Sequence, residues 1–315
     1  MFVYILKRLA YMIPVLIGIS VIVFLIMELI PGDPAQAILG SYATPENLAR
    51  LRESMGLDKP IVQRYFIWLS NILHGDFGMS YSLERPVSDE IFDRLFPTLL
   101  LAGSSLVLCS IFGLLAGIIS AVKQYKITDK VITLFVLIGI STPSFWLGLI
   151  LILSFAIKFN IFPASGMTDI YGGGGFLDIL HHLILPSFTL AVVATGVIAR
   201  LTRSAMLEIL RQDYIRTARA KGIDERKVIF KHAFKNALVG IIPVIGIQAG
   251  FVIGGAVYIE MVFQWPGIGR MLVNAILTRD ILLVQGGVVV VAAIYVLINL
   301  TADILQHVLD PRIKT

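Results

Sequence analysis

The stretches most suggestive of chemistry are the pair His181-His182, the run Gly172-Gly173-Gly174-Gly175 and the single Cys109. Adjacent side chains on a helix project about 100° apart, so the two histidines are not expected to share a metal ion, and no metal site is expected. The glycine run leads into Phe176 rather than a Lys-Ser/Thr pair, so it reads as a flexible turn. No G-x-x-x-x-G-K-[ST] occurs anywhere, so the chain is not expected to cradle ATP phosphates by itself. Neither G-x-S-x-G nor H-E-x-x-H is present, and an intramembrane enzyme would need a paired nucleophile and base that the sequence does not offer. Cys109 lies in an apolar run and reads as a small core residue, with no partner for an internal disulfide. Only Glu28 and Asp303 approach the interior of apolar segments, and both sit near segment ends. An ion-coupled secondary transporter, which would use a buried ionisable relay, is therefore weakly supported.

A different stretch stands out: Asp213-Tyr214-Ile215-Arg216-Thr217-Ala218-Arg219-Ala220-Lys221-Gly222, a short basic segment between long apolar runs. Asp213 can cap a helix start, and Gly222 can end one in the left-handed conformation. About two turns of helix formers lie between them, too few to be stable alone in water. The segment must dock on something. Ala218 and Ala220 allow close approach, while Arg216, Arg219 and Lys221 can meet carboxylates on a partner. A basic helix resting on lipid headgroups is the alternative.

The surrounding elements define the class. The 315 residues are 57% hydrophobic and 15% charged, against about 25% charged in a typical soluble domain. With a mean hydropathy of +0.85, the excess apolar surface must face lipid, making this an all-α polytopic membrane protein. Six spans are predicted, roughly Leu9–Ile30, Thr98–Val122, Val131–Ile157, Leu183–Ala199, Leu238–Tyr258 and Leu282–Ala302. The first is too long for a signal-peptide core and reads as a retained N-terminal helix, 1–30. Pro14, Pro143, Pro186 and Pro243 fall in or beside spans and are expected to bend them.

A polar insert, 31–97, follows the first span and opens on the turn Pro31-Gly32-Asp33-Pro34. Thr44-Pro45-Glu46 reads as N-cap, first helical proline and acidic first turn, with Leu48, Leu51 and Met55 on one face and Gly56 as the stop. A second amphipathic helix is predicted over Pro60–Leu73, with Ile61, Tyr65, Trp68, Leu69 and Ile72 as its buried stripe. These helices suggest a cap on the membrane surface; a loosely folded loop is the alternative. The remaining expected boundaries are a five-helix core, 98–309, holding a cytoplasmic loop, 200–237, and a cytoplasmic tail, 310–315.

Charge sets the expected orientation. The two ends and the loops 123–130 and 200–237 hold seventeen Lys and Arg, while the short opposite loops hold Lys158, Arg270 and Arg279. The insert is too long to count, so both termini and the 200–237 loop are expected to be cytoplasmic. The formal charge of +5 is thus laid out for anionic lipid, with no nucleic-acid motif around it.

Two small-residue patterns indicate close helix packing. Gly246, Gly250 and Gly254 recur every four residues on one face, and Gly113 and Gly117 do the same. The first is read as a seam either within the subunit or with a second one. Ser141, Thr142 and Gln248 are polar positions in spans that could line a pore or simply cross-link helices.

Residues 200–237 resemble the cytoplasmic signature loop of ABC-importer permeases, and more narrowly that of the dipeptide/oligopeptide branch, through Arg216-Thr217-Ala218-Arg219-Ala220-Lys221-Gly222. The likeness extends over nearly the whole chain: Pro31-Gly32-Asp33-Pro34, Gly56-Leu57-Asp58-Lys59-Pro60, His74-Gly75-Asp76-Phe77-Gly78, Arg85-Pro86-Val87 and Arg200-x-x-Arg203. It continues in Glu260-x-x-Phe263-x-Trp265-Pro266-Gly267-x-Gly269-Arg270 and Asp310-Pro311-Arg312. Relative to the general permease loop, Arg216 stands in place of a glutamate, Thr217 in place of an alanine and His232 in place of an isoleucine.

The resemblance implies six transmembrane helices of the ABC-importer permease type with an extracytoplasmic helical insert, in the bacterial inner membrane. It implies that residues 213–222 form a coupling helix on an ATP-binding subunit. It further implies a heterodimer with a second homologous permease, two ATPase subunits that bind ATP and Mg, and an external solute-binding protein delivering short peptide. This chain itself would be non-catalytic and hold no cofactor. Glu260, Phe263, Trp265, Pro266, Gly267 and Arg270, with the insert, are candidates for docking the binding protein or guiding substrate. The same family skeleton also carries glutathione and nickel chelates.

Overall fold

The computed structural model describes residues 2–29, 34–40, 43–54, 56–169 and 174–309. The turn at Pro31-Gly32-Asp33, Met55, Gly172-Gly173 and the tail Asp310-Pro311-Arg312 with Lys314 lie outside the described residues. Five described helices are long and apolar enough to cross a membrane, or six if one bent pair counts as a single span. The chain packs as two compact units, Met1–Phe96 with Gly267–Val296, and Pro97–Pro266 with Leu297–Thr315. This grouping joins segments distant in sequence, which the linear boundaries drawn on composition do not do.

In the first unit, α1 (Phe2–Leu29) precedes three short helices, α2 (Pro34–Leu39), α3 (Pro45–Ser54) and α4 (Ile61–Leu73). The Thr44 hydroxyl accepts from Asn47 N–H, and Gly56 ends α3 at φ +66°. On α4, Tyr65 and Trp68 pack edge-on and tilted against Phe24 of α1, and the Tyr65 and Ser20 hydroxyls are 2.9 Å apart. Arg64 binds Glu28 at 2.6 Å, so Glu28 is an ion-pair partner rather than a proton relay. The expected buried stripe of α4 is corrected. Tyr65, Trp68, Leu69 and Ile72 are only half-buried and Ile61 is exposed, because the opposite side, with Val62 and Phe66, is apolar too.

A two-residue hairpin, β1 (Met79–Ser80) against β2 (Arg85–Pro86), pairs Met79 with Pro86 and Ser80 with Arg85. Asp280, buried, accepts from the hydroxyls of Ser80 and Ser82, at 2.6 and 2.9 Å, and from the backbone N–H groups of Ser82 and Leu283. It thereby fastens the hairpin and caps the first turn of α13 (Ile281–Leu309). Burial, and secondarily the Asp280 carboxylate, push the neighbouring Tyr81 phenol above its ordinary value of 10.0. The apolar core of this unit gathers Val23, Met27, Ile91, Met271 and Leu283. Met271 belongs to α12 (Ile268–Leu277), a helix that the sequence reading left as part of a loop.

The second unit draws on α5 (Val87–Val122), α6 (Ile127–Ser141), α7 (Ser144–Leu151, extended by a π-helical turn to Lys158) and α8 (Phe176–Leu210). The expected third span is thus a helix pair bent by 105°. Pro143 has no N–H and holds Thr142 extended at φ −87°, ψ 123°, which breaks the helix rather than bending it gently. The helix α8 is central: 67% of its most apolar window is buried, against 11% for α1.

Gly113 and Gly117 let α5 lie directly on α8. A Cβ on Gly117 would stand 2.5 Å from Thr202 Cβ and 2.7 Å from the Ala199 carbonyl; one on Gly113 would stand 2.8 Å from Ile198. After α9 (Asp213–Ala220) and the single turn α10 (Glu225–Lys227), a π-helical stretch Val228–Phe234 leads into α11 (Lys235–Val262). On α11, Gly246 meets Ala302 at 2.4 Å from its ideal Cβ, whereas the Cβ position of Gly254 is open. Replacing Gly117 by Val should therefore lower stability by about 1–3 kcal/mol, seen as a lower melting temperature of the purified chain. Gly254→Ala should leave that temperature unchanged within error; equal losses in the two variants would refute the packing described.

Candidate functional site

The helix α9 is eight residues long and buries two of its side chains. Ile215 is fully buried and Ala218 nearly so, packed in a cluster with Met206 of α8, Ile118 and Ala121 of α5, and Val228, Ala233 and Ile241 beyond. Burying Ile215 alone contributes about 1.5–3 kcal/mol, enough to offset a nucleation cost that a two-turn helix cannot meet by its own hydrogen bonds. The helix end is closed twice over: Gly222 N–H donates to the Arg219 carbonyl at 2.9 Å, and Ile223 N–H to the Ala218 carbonyl at 3.3 Å. Gly222 stands at φ +73°, the left-handed value this closure requires.

Three expectations for this segment change. Asp213 is the first helical residue, and Gln212 occupies the cap position with no side-chain bond. The Asp213 carboxylate points outward, 3.5 Å from Arg216, and its carbonyl accepts from the Thr217 hydroxyl. Ala218 faces the chain's own core, so close approach to a partner falls to Ala220 alone. Arg219 is held by Glu225 through bonds of 2.7 and 3.1 Å, which raises its pKa from an already high value despite some desolvation. The exposed face is Asp213, Tyr214, Arg216, Thr217, Ala220 and Lys221, and the Tyr214 hydroxyl accepts from the Asn236 amide at 3.2 Å.

At the ends of α5, α6 and α8 is an ion pair that spacing did not reveal. Asp129, in the first turn of α6, receives Arg203 Nη2 at 2.8 Å and Nε at 2.9 Å. It also accepts from the Ser120 hydroxyl and from Tyr125 N–H. One carboxylate thus joins the ends of α5, α6 and α8 and fixes the turn between α5 and α6, where Tyr125 adopts φ +65°. Arg203 was visible as part of a motif; Asp129 was not, since an acid in a helix's first turn is unremarkable.

The segment from Glu260 to Arg270 is not an open loop. Glu260, Phe263 and Trp265 are all buried; Thr98 donates to Glu260 at 2.7 Å and Trp265 Nε1 to the Pro97 carbonyl at 2.9 Å. Pro266 is half-buried. Gly267 and Arg270 begin α12 in the other unit, with Gly267 buried and Arg270 half-buried. Among the remaining candidates, Ser141 is exposed at the break, Thr142 bonds back to the Ile138 carbonyl at 2.7 Å, and Gln248 and Gly250 are buried in α11.

His181 and His182 point apart, as adjacent positions should: their rings stand at 83°, with His181 Nε2 2.8 Å from the Ile161 carbonyl. His182 lies by Asp178, 3.2 Å from its carboxylate, with Asp169 3.8 Å away. The other oxygen of Asp178 accepts from the N–H groups of Asp169 and Gly174, so its visible work is to hold the loop.

Comparison with known proteins gives this arrangement its family. Residues 113–315 match the family described as "Binding-protein-dependent transport system inner membrane component", and residues 1–102 match its N-terminal companion. The chain belongs to this family. It is 42% identical over 332 residues to the dipeptide transport system permease protein DppB of Alkalihalophilus pseudofirmus, covering all of both chains. It is 40% identical over 311 residues to the glutathione transport system permease protein GsiC of Escherichia coli K12, covering 99% of this chain and 98% of that one. Among solved structures, a chain of the inward-facing MetNI methionine ABC transporter superposes with a TM-score of 0.58 at 18% identity. That match spans 70% of this chain and 96% of the other, and shows the shared fold. The permease is accordingly a multi-pass inner-membrane component of a binding-protein-dependent ABC importer, a non-catalytic membrane subunit.

The Asp129–Arg203 pair should behave as a unit. Asp129→Asn alone strands a half-buried guanidinium and should cost about 2–4 kcal/mol of stability, whereas Asp129→Asn combined with Arg203→Met should recover much of the loss. A double-mutant cycle on thermal unfolding of the detergent-purified permease measures the coupling; additive effects would show that the pair does not act together.

Proposed function

We propose that this permease carries short peptides inward and is driven from the cytosol through α9. Supporting the substrate class is the full-length similarity to permeases named for dipeptides and for glutathione, itself a small peptide. Supporting the role of α9 is its build: anchored by Ile215 and Ala218 and presenting a polar, basic face that no part of the described chain covers. The Lys and Arg distribution supports a cytosolic position for this face, the 200–237 loop and both termini. On this reading two ATPase subunits, which bind ATP and Mg, cup α9 and its counterpart in a second homologous permease. The insert, 31–97, lies outside with its exposed surface toward a solute-binding protein. Glu260, Phe263, Trp265, Pro266, Gly267 and Arg270 stiffen that outer side rather than offering open contacts, and Ser141, Thr142 and Gln248 stand as candidate pore-lining positions.

The mechanism follows from rigid attachment. ATP binding brings the ATPases together; α9 moves with them, and because Ile215 is packed among α5, α8 and α11, those helices move as one. Hydrolysis reverses the preference. The energy enters as the difference in how strongly the ATPases hold the two arrangements. Gly246, which meets Ala302 of the same chain, belongs to an internal seam, and Gly250 is buried with it, while the open Gly254 position is proposed to face the second permease.

The test uses the outer face of α9, since Ala218 substitutions would only disturb the core. Ala220→Trp and Lys221→Glu should insert and melt like the parent, yet reduce ATP-dependent peptide uptake by the reconstituted importer at least tenfold, with peptide-stimulated ATP hydrolysis lost in parallel. Normal uptake by correctly inserted variants would overturn the coupling role. Uptake by this chain alone, on an ion gradient without ATP, would instead favour a secondary transporter.

A further inference from the structure

Between the ends of α5, α6 and α8 lies a cavity of about 690 Å³, large enough for part of a lipid. Its walls are graded. Val136, Leu137 and Ala199 line the side that continues into the apolar runs of α6 and α8, while Arg200 and Ser204 on α8 and Arg211 just past its end follow on the side leading out. Arg203, also in the wall, is already engaged by Asp129. Arg200 and Arg211 are exposed, with no ion pair or side-chain hydrogen bond among the described residues, and the one other carboxylate at the rim, Glu208, leaves the mouth net positive. Arg200 is the first charged residue after the apolar run of α8, at the depth where a phosphate would lie if a chain filled the apolar part.

We propose that this cavity seats one anionic phospholipid of the cytosolic leaflet. Its phosphate is held by the Arg200 guanidinium and the Ser204 hydroxyl, one turn apart on the same face, with Arg211 adding attraction from the mouth. An acyl chain runs along Val136, Leu137 and Ala199. The choice of leaflet rests on the orientation proposed above; the lipid site itself does not, since binding is measured without ATP or peptide. A bound lipid there would brace the ends of the three helices around α9.

The experiment is native mass spectrometry of the assembled importer, delipidated and then given equal phosphatidylglycerol and phosphatidylcholine. The parent should retain one phosphatidylglycerol per copy of this chain. The double variant Arg200→Gln, Ser204→Ala should lose it about tenfold more readily, and Val136→Trp, which fills the apolar wall and leaves every charge in place, should also lose it. The control Lys126→Gln, Lys130→Gln removes two charges outside the cavity and should retain lipid as the parent does. Equal loss in the control would reduce the effect to surface charge and overturn the site. Retention in either cavity variant would overturn it as well, and complete displacement by inorganic phosphate would mark a free-anion site instead.

Discussion

Everything distinctive about this permease depends on one buried contact, the seating of Ile215 in the hollow left by Met206, Val228 and Ala233. A two-turn helix has almost no stability of its own, so its position is decided by what its apolar residues touch. With Ile215 and Ala218 turned inward, the segment between α8 and α11 becomes a fixed part of the helix bundle rather than a tether. The paired closure at Gly222 and Ile223 makes the exit from α9 as well defined as its interior.

The bundle that receives it is held by close approach and by a few polar joints. Lipid provides no hydrophobic drive between helices, so the absence of side chains at Gly113 and Gly117 counts for more here than it would in water. Where side chains do meet, they satisfy one another: the Ser104 and Ser187 hydroxyls stand 2.6 Å apart, and Glu260, fully enclosed, accepts from Thr98. At the other end of the same helices Asp129 gathers Arg203 and Ser120. Such joints have specific geometry and resist sliding of one helix along another.

Much of this was legible in the sequence because it depends on local chemistry. Apolar run length gave the spans, Thr44-Pro45 and Gly56 bounded α3, and Gly222 ended α9 where only a residue tolerant of positive φ fits comfortably. What escaped notice obeys no local rule. Gln264 and Arg279 take positive φ and end helices without a glycine to announce it, so α12 was hidden inside a presumed loop. The lengths of α5 and α8 beyond their apolar parts depend on packing, not hydropathy. Asp129 and Asp280 look like ordinary surface acids, and each reveals its role only through partners far along the chain, Arg203 in one case and Ser80 in the other.

The inward orientation of Ala218 also bears on how the signature motif of this loop should be interpreted. In Arg216-Thr217-Ala218-Arg219-Ala220-Lys221-Gly222, small residues and charges could all be assigned to a partner's surface. The structure divides them: Ala218 and Gly222 shape the helix and its exit, Arg219 is committed to Glu225, and Arg216, Thr217, Ala220 and Lys221 remain exposed. A motif of seven residues therefore combines an inner packing contact with an outer exposed face. The inner contact fixes the angle at which the outer face is presented, so a change at Ala218 would reorient Arg216, Thr217, Ala220 and Lys221 without altering any of them. Ala220 and Lys221 are tied to α5, α8 and α11 through the packing of Ile215 and Ala218 and through the Tyr214–Asn236 bond, so the placing of one short helix depends on three long ones.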